Sequence, residues 1–187
     1  MKRLAHRSDP IEGAKLGYVV SQYPATTHTF ILNEIQILRR LGYSVQVVSI
    51  RQPDRPAHGL SREEAEEYAQ TFSVLGVGVG HALLVHLKTL AVRPGAYGKA
   101  LLYAMRLVGS NIALVIRYFA YFAEAVVAGD FLMRRGIRHT HTHFSSTVVL
   151  MMTRLFPITF SVTIHGPDEF NDVLGFHLAE KVARCQF

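Results

Sequence analysis

The chain has 187 residues, 49% of them hydrophobic and 18% charged, which suits one folded domain with a real core and excludes two large ones. Lys and Arg outnumber Asp and Glu by 20 to 14, an excess that favours anionic partners such as phosphates or acidic lipids. No helix carries a dense basic stripe, which argues against nucleic acid. Cys185 is the sole cysteine, so no internal disulfide can form and a reducing, cytoplasmic compartment fits.

Residues 1–14 are basic without an apolar run, which rules out a secretory signal there and predicts a disordered leader. Residues 16–21, LGYVVS, suit a buried first strand that stops at Gln22-Tyr23-Pro24, because proline lacks the amide and restricts its predecessor. Thr26, Thr27 and Thr29 offer helix caps before Phe30, Ile31, Glu34, Ile35, Leu38 and Leu41, which recur at helical spacing; Gly42 stands where a C-terminal cap glycine belongs. Residues 43–50 alternate as a second strand. Strand, helix, strand in this order predicts a parallel right-handed unit. Residues 51–56 read as a solvated loop with two exposed arginines, Arg51 and Arg55. Ser61 with Glu64 three residues on is a capping-box signature for the acidic helix that follows, and residues 72–75 read as a third strand.

Residues 81–92, 94–108 and 111–135 read as three helices, the last capped by Ser110. The uncharged run 68–87 has the length of a membrane span, but its polar residues and glycines point to strand, turn and helix start instead. Lys88, Arg93, Lys99, Arg106 and Arg117 sit among aliphatic and aromatic residues, a mixture that suits either helices covering a sheet with their cations at the edges or a surface lying on anionic membrane.

Residues 137–144 return to alternation, with His139, His141 and His143 on one strand face. Three histidines so placed seldom converge on one ion, so no metal is expected. Ser145 or Ser146 caps a helix to Leu155 whose Met and Val content is core packing. Ile158, Phe160, Val162 and Ile164 then alternate with Thr159, Ser161 and Thr163, and the strand breaks at His165-Gly166-Pro167-Asp168. In parallel α/β sheets ligands bind beyond the carboxyl ends of the strands, so His165 and Asp168 stand where a substrate can reach them. His165 can exchange a proton near neutral pH, Asp168 can orient it or bind a hydroxyl, and Gly166 lets the backbone come close. Gly-Pro-Asp is also ordinary turn vocabulary, which leaves a purely structural turn open. A last helix is expected over 175–184.

The ordered set SQYPATTHTFILNEIQILRRLGYSVQVVSI, HTHF, SVTIHGPDEF and LAEKVARCQF resembles the N-terminal domain of family 4 glycosyltransferases, retaining enzymes of the two-domain GT-B fold. The likeness spans residues 15–187. It implies a Rossmann-like parallel sheet flanked by helices, an acceptor-holding domain facing a second domain that binds the nucleotide-sugar donor. By this resemblance His165 and Asp168 are the catalytic-loop residues, while Ser21, Gln22, Tyr23, Thr26, Thr27, His143 and Gly166 line the acceptor side. It implies no metal and no cofactor beyond the nucleotide sugar as donor substrate, a glycan or glycolipid acceptor of the exopolysaccharide or colanic-acid type, and a cytoplasmic location peripheral to the inner face of the plasma membrane. The paired glutamates of the donor-binding domain have no counterpart in these residues, so the chain is expected to be a fragment, incomplete at its C-terminal end and inactive in transfer alone. Two other classes stay open: a non-catalytic module docking on anionic membrane or polyanion, and a metal-dependent hydrolase built on His139, His141, His143, His165 and Asp168.

Overall fold

The computed structural model describes residues 13–108, 113–166, 170–173 and 175–186. Five strands, β1 (Lys15–Gln22), β2 (Ser44–Arg51), β3 (Phe72–Ser73), β4 (His139–Thr142) and β5 (Thr159–Val162), form one sheet in the order β3-β2-β1-β4-β5. All four pairings are parallel, with Val19 opposite Val48 on one side and Thr142 on the other. The sheet is Rossmann-like, as the sequence implies. After β3 the chain crosses β1 and resumes at β4, so the strand order reverses between β1 and β4. That reversal opens a crevice beyond the strand ends.

The strands are apolar because both faces of the sheet centre are covered. Tyr18 and Val20 of β1 pack with Val47 against Ile31 and Ile35 of α1 (Thr29–Arg40), while Val19, Val48 and Ile50 face the opposite layer. That layer holds α3 (Val79–Val92), α4 (Pro94–Val108), α5 (Ala113–Arg134) and α6 (Ser146–Leu155). In α6, Val149, Leu150, Met151 and Met152 are all fully buried, which bears out their reading as core. Gly129 is what lets α5 and α6 approach, since a Cβ there would fall inside the Phe156 ring and against Met152 Cγ. The last helix, α7 (Leu178–Arg184), is tied to α6 by Arg154 and Glu180 at 2.5 Å. Past α7, Gln186 N–H donates to Phe160 O of β5 at 2.8 Å.

Local signals hold at several ends. Gly42 adopts φ +91° while its N–H donates to Arg39 O and Tyr43 N–H to Leu38 O, a left-handed helix stop that glycine adopts without strain. Ser61 and Glu64 form both halves of the capping box of α2 (Arg62–Gln70). The threonine caps of α1 do not form. A 3-10 turn over Thr26–His28 leads into α1 with no side-chain cap, because Thr26 is engaged elsewhere: its N–H donates to Asp54 Oδ2 and its Oγ1 accepts from Arg55. Ser145 is the N-cap of α6 without a side-chain bond, and its N–H donates to Thr142 Oγ1. The third strand is shorter than expected, since residues past Ser73 turn into a 3-10 segment at Leu75–Val77. Ser110 lies outside the described residues.

Arg55 is the clearest departure from the sequence reading. Its guanidinium donates to Thr26 Oγ1, Asp54 Oδ1, Gly59 O and Glu64, knotting the loop after β2 to the loop after β1 and to the start of α2. Glu64 is held below the usual carboxylate range by Arg55 and by the Ser61 N–H, and Arg55 is itself pushed up by Glu64. Among the described residues no helix is long and apolar enough to cross a membrane.

Candidate functional site

The loops after β1, β4 and β5 meet around the reversal point. On the side of the α3–α6 layer they enclose a crevice of about 340 Å³ lined by Ser21, Arg51, Glu124, Ser146, Gly166 and Lys181. Ser21 comes from the end of β1, Arg51 from the end of β2, Ser146 from the first turn of α6 and Gly166 from the loop after β5. The N–H groups at the start of α6 and the cations Arg51 and Lys181 make this end electropositive. The seryl hydroxyls supply donors and acceptors suited to a polyhydroxyl ligand.

Glu124 is the residue that sequence reasoning missed here. It sits midway along α5 among Ala125, Val126 and Val127, and burial raises its carboxyl to about 7, with Arg51 pulling the other way. A group that titrates near neutrality in a crevice can take or give a proton. The available signal was a carboxylate inside the otherwise uncharged run 118–129 of that helix.

The opposite side of the same strand ends carries a histidine cluster. His139 and His141 lie along β4 and meet the hydroxyls of β5: His139 Nδ1 is 2.8 Å from Thr159 Oγ1, His141 Nδ1 is 2.8 Å from Ser161 Oγ, and His141 Nε2 is 3.1 Å from Thr163 Oγ1. His143 is 2% exposed and its Nδ1 lies 2.5 Å from His165 Nε2. Glu34, reaching down from α1, places Oε2 3.1 Å from His143 Nε2 and accepts from Tyr18 Oη at 2.8 Å through Oε1. Rings of Phe30 and Phe144 flank His165 at centroid distances of 4.9 and 5.0 Å, and His28 stacks on Phe144 at 4.7 Å. Burial holds His139, His141 and His143 below the ordinary range; His143, with His141 and His165 adding and Glu34 opposing, falls to about 4. The three are therefore neutral imidazoles at physiological pH.

The sequence-predicted residues divide between these two sides. Ser21 and Gly166 line the crevice, and His165, next to Gly166 in the chain, is exposed beside His143. Gln22 turns to the next loop, where its Nε2 donates to Gln52 O. Tyr23 is wholly buried beneath α1 with its hydroxyl on Glu67, where it serves the core and does not face the crevice. Thr26 is bound by Arg55 and Asp54, and Thr27 is exposed. Asp168 lies outside the described residues. His139, His141 and His143 do not converge as a set, since His139 is drawn to Thr159 and Ser161; it is Glu34, unsuspected as a donor, that joins His141 and His143, with one donor atom of each within 4.8 Å of the others.

The chain is an α/β domain with a Rossmann-like sheet and a hydroxyl- and cation-lined crevice at its switch point. Compared with known proteins, the chain matches no family model, no curated protein and no solved structure.

Proposed function

We propose that this chain is the acceptor-side, Rossmann-like domain of a retaining GT-B glycosyltransferase, holding a glycan or glycolipid acceptor while a second domain presents the nucleotide-sugar donor. The crevice at the β1/β4 reversal supports this reading, because it combines hydroxyl donors with Arg51, Lys181 and a helix N-terminus beside the exposed His165. In such a reaction a sugar leaves its nucleotide diphosphate and joins an acceptor hydroxyl with the anomeric configuration kept. Fixed cations and oriented N–H groups stabilise the negative charge that develops on the departing phosphate. Glu124 is the candidate to exchange a proton in the crevice.

Chemical-shift mapping by NMR on the purified, isotope-labelled chain tests the reading. Oligosaccharide acceptors are expected to perturb Ser21, Ser146 and Gly166, and Arg51→Ala is expected to weaken binding. Sugar transfer is expected only when a donor-binding domain is supplied. A chain that binds no saccharide in the crevice, or that transfers sugar alone, refutes it.

A second reading, docking on an anionic membrane, is favoured by one observation. Val79, Leu83, Leu84, Leu87 and Leu90 of α3 are 44–87% exposed, an apolar stripe on the outer layer. Lys99, Arg106 and Arg117 lie in neighbouring helices of the same layer, while Lys88 is paired with Asp130 at 2.9 Å and Arg93 lies over the Phe156 ring. Salt-sensitive binding to acidic vesicles that disappears in Leu84→Glu/Leu87→Glu is the expected result, and equal binding by that variant removes the reading.

A further inference from the structure

The side of the strand ends away from the crevice contains a polar constellation of which the proposed function uses only His165. His141 in β4 and His143 just past its end bring their rings within 4.8 Å of each other, and Glu34 of α1 reaches both. Glu34 and His143 each have one position already committed, while both ring nitrogens of His141 meet hydroxyls, Ser161 Oγ at 2.8 Å and Thr163 Oγ1 at 3.1 Å, one of which an ion would displace. Tyr18 Oη donates to Glu34 Oε1 at 2.8 Å, which fixes the carboxylate and leaves Oε2 turned towards His143. His165 Nε2 lies 2.5 Å from His143 Nδ1, which fixes that ring and leaves Nε2 turned towards Glu34. Oε2 and Nε2 are 3.1 Å apart, within ion-pair reach, yet this buried nitrogen has no hydrogen bond that meets geometric criteria among the described residues. A buried imidazole nitrogen facing a carboxylate oxygen without a shared hydrogen bond is an arrangement that a cation between them would satisfy.

We propose that Glu34, His141 and His143 form a binding site for a divalent ion of the zinc class, with Tyr18 and His165 as the outer hydrogen-bond partners that orient the ligands. Two imidazole nitrogens and one carboxylate oxygen suit Zn²⁺ or a neighbouring first-row ion and disfavour Mg²⁺ and Ca²⁺, which take oxygen ligands. The donor atoms lie within 4.8 Å of one another, and ligand bonds of about 2.0–2.2 Å draw such atoms closer by a modest side-chain movement. The Glu34 side chain, 41% exposed, can make that movement and leaves the ion a path from solvent. Three protein ligands leave a fourth position for water or a ligand hydroxyl. His139 is outside the set because it is not among the donors that lie within 4.8 Å of one another.

The test is titration of the chelator-treated chain with Zn²⁺ by calorimetry, and with Co²⁺ by visible absorption. One ion per chain is expected, with the d–d spectrum of a nitrogen- and oxygen-ligated Co²⁺. Glu34→Gln and His141→Gln are each expected to weaken Zn²⁺ binding at least about tenfold, and Tyr18→Phe about 10- to 100-fold, the range for outer partners of a metal ligand. His139→Gln is expected to bind as the parent does. Circular dichroism of the metal-free variants checks that each folds. The unsubstituted chain gives an independent readout, since Zn²⁺ should shift the ring resonances of His141 and His143 and leave those of His58 and His81 in place. Binding unaltered by Glu34→Gln and His141→Gln, or ring shifts confined to other histidines, overturns the proposal.

Discussion

Replacing Glu124 with Gln separates the cost of a buried charge from the rest of the fold. The side chain keeps its shape and loses its titration. Between an unfolded-state value near 4.5 and a folded-state value of about 7 the folded chain binds the extra proton, so stability falls as pH rises through this window. The full difference corresponds to about 3 kcal/mol. The crevice is open to water and Arg51 compensates part of the charge, which reduces the expectation to about 1–2 kcal/mol. Urea unfolding of both chains should therefore give similar stabilities near the bottom of the window and a Gln variant about 1–2 kcal/mol more stable above it. Comparing the two chains at each pH cancels the contribution of His143, which runs the other way: its folded value lies below its unfolded one, so it stabilises above the unfolded value and that stability is lost on acidification towards about 4. A difference between the chains that does not change with pH refutes the reasoning, because it means that the Glu124 carboxyl titrates alike folded and unfolded.

Two further predictions concern packing around the site. Gly129→Ala should lower stability by about 1–3 kcal/mol in thermal or denaturant melts, because the added Cβ meets the Phe156 ring and forces α5 from α6; an unchanged midpoint would show that the helices part without cost. Tyr23→Phe should cost about 1 kcal/mol by removing the bond from its hydroxyl to Glu67, with saccharide binding unaffected; loss of binding at full stability would return Tyr23 to the acceptor side.

Where a local rule and the packing agree, the sequence was readable. Gly42 after an amphipathic helix, Ser61 three residues before Glu64, and the apolar runs of β1 and β2 each describe a neighbourhood of a few residues, and their order implies the parallel sheet. The same rules misled where a distant partner outbid a nearby one. Thr26 does not cap α1 because Arg55, 29 residues on, takes its hydroxyl. Tyr23 reads as a loop residue beside a strand end, but a carboxylate 44 residues away draws it into the core.

By itself the sequence determined which residues alternate, which cap and which bury, and so the α/β architecture and the placing of His165 and Gly166 at a strand end. Period-two spacing fixes a common face for His141 and His143 without any tertiary contact, since the pleat alone dictates it. Only the tertiary structure decided what stands opposite that face. Glu34 reaches His143 across more than a hundred residues of chain because α1 lies over β1 and β4 pairs beside it. Glu124 acquires its near-neutral titration for the same reason, because a carboxyl's proton affinity depends on the surroundings that folding assembles and no local pattern encodes.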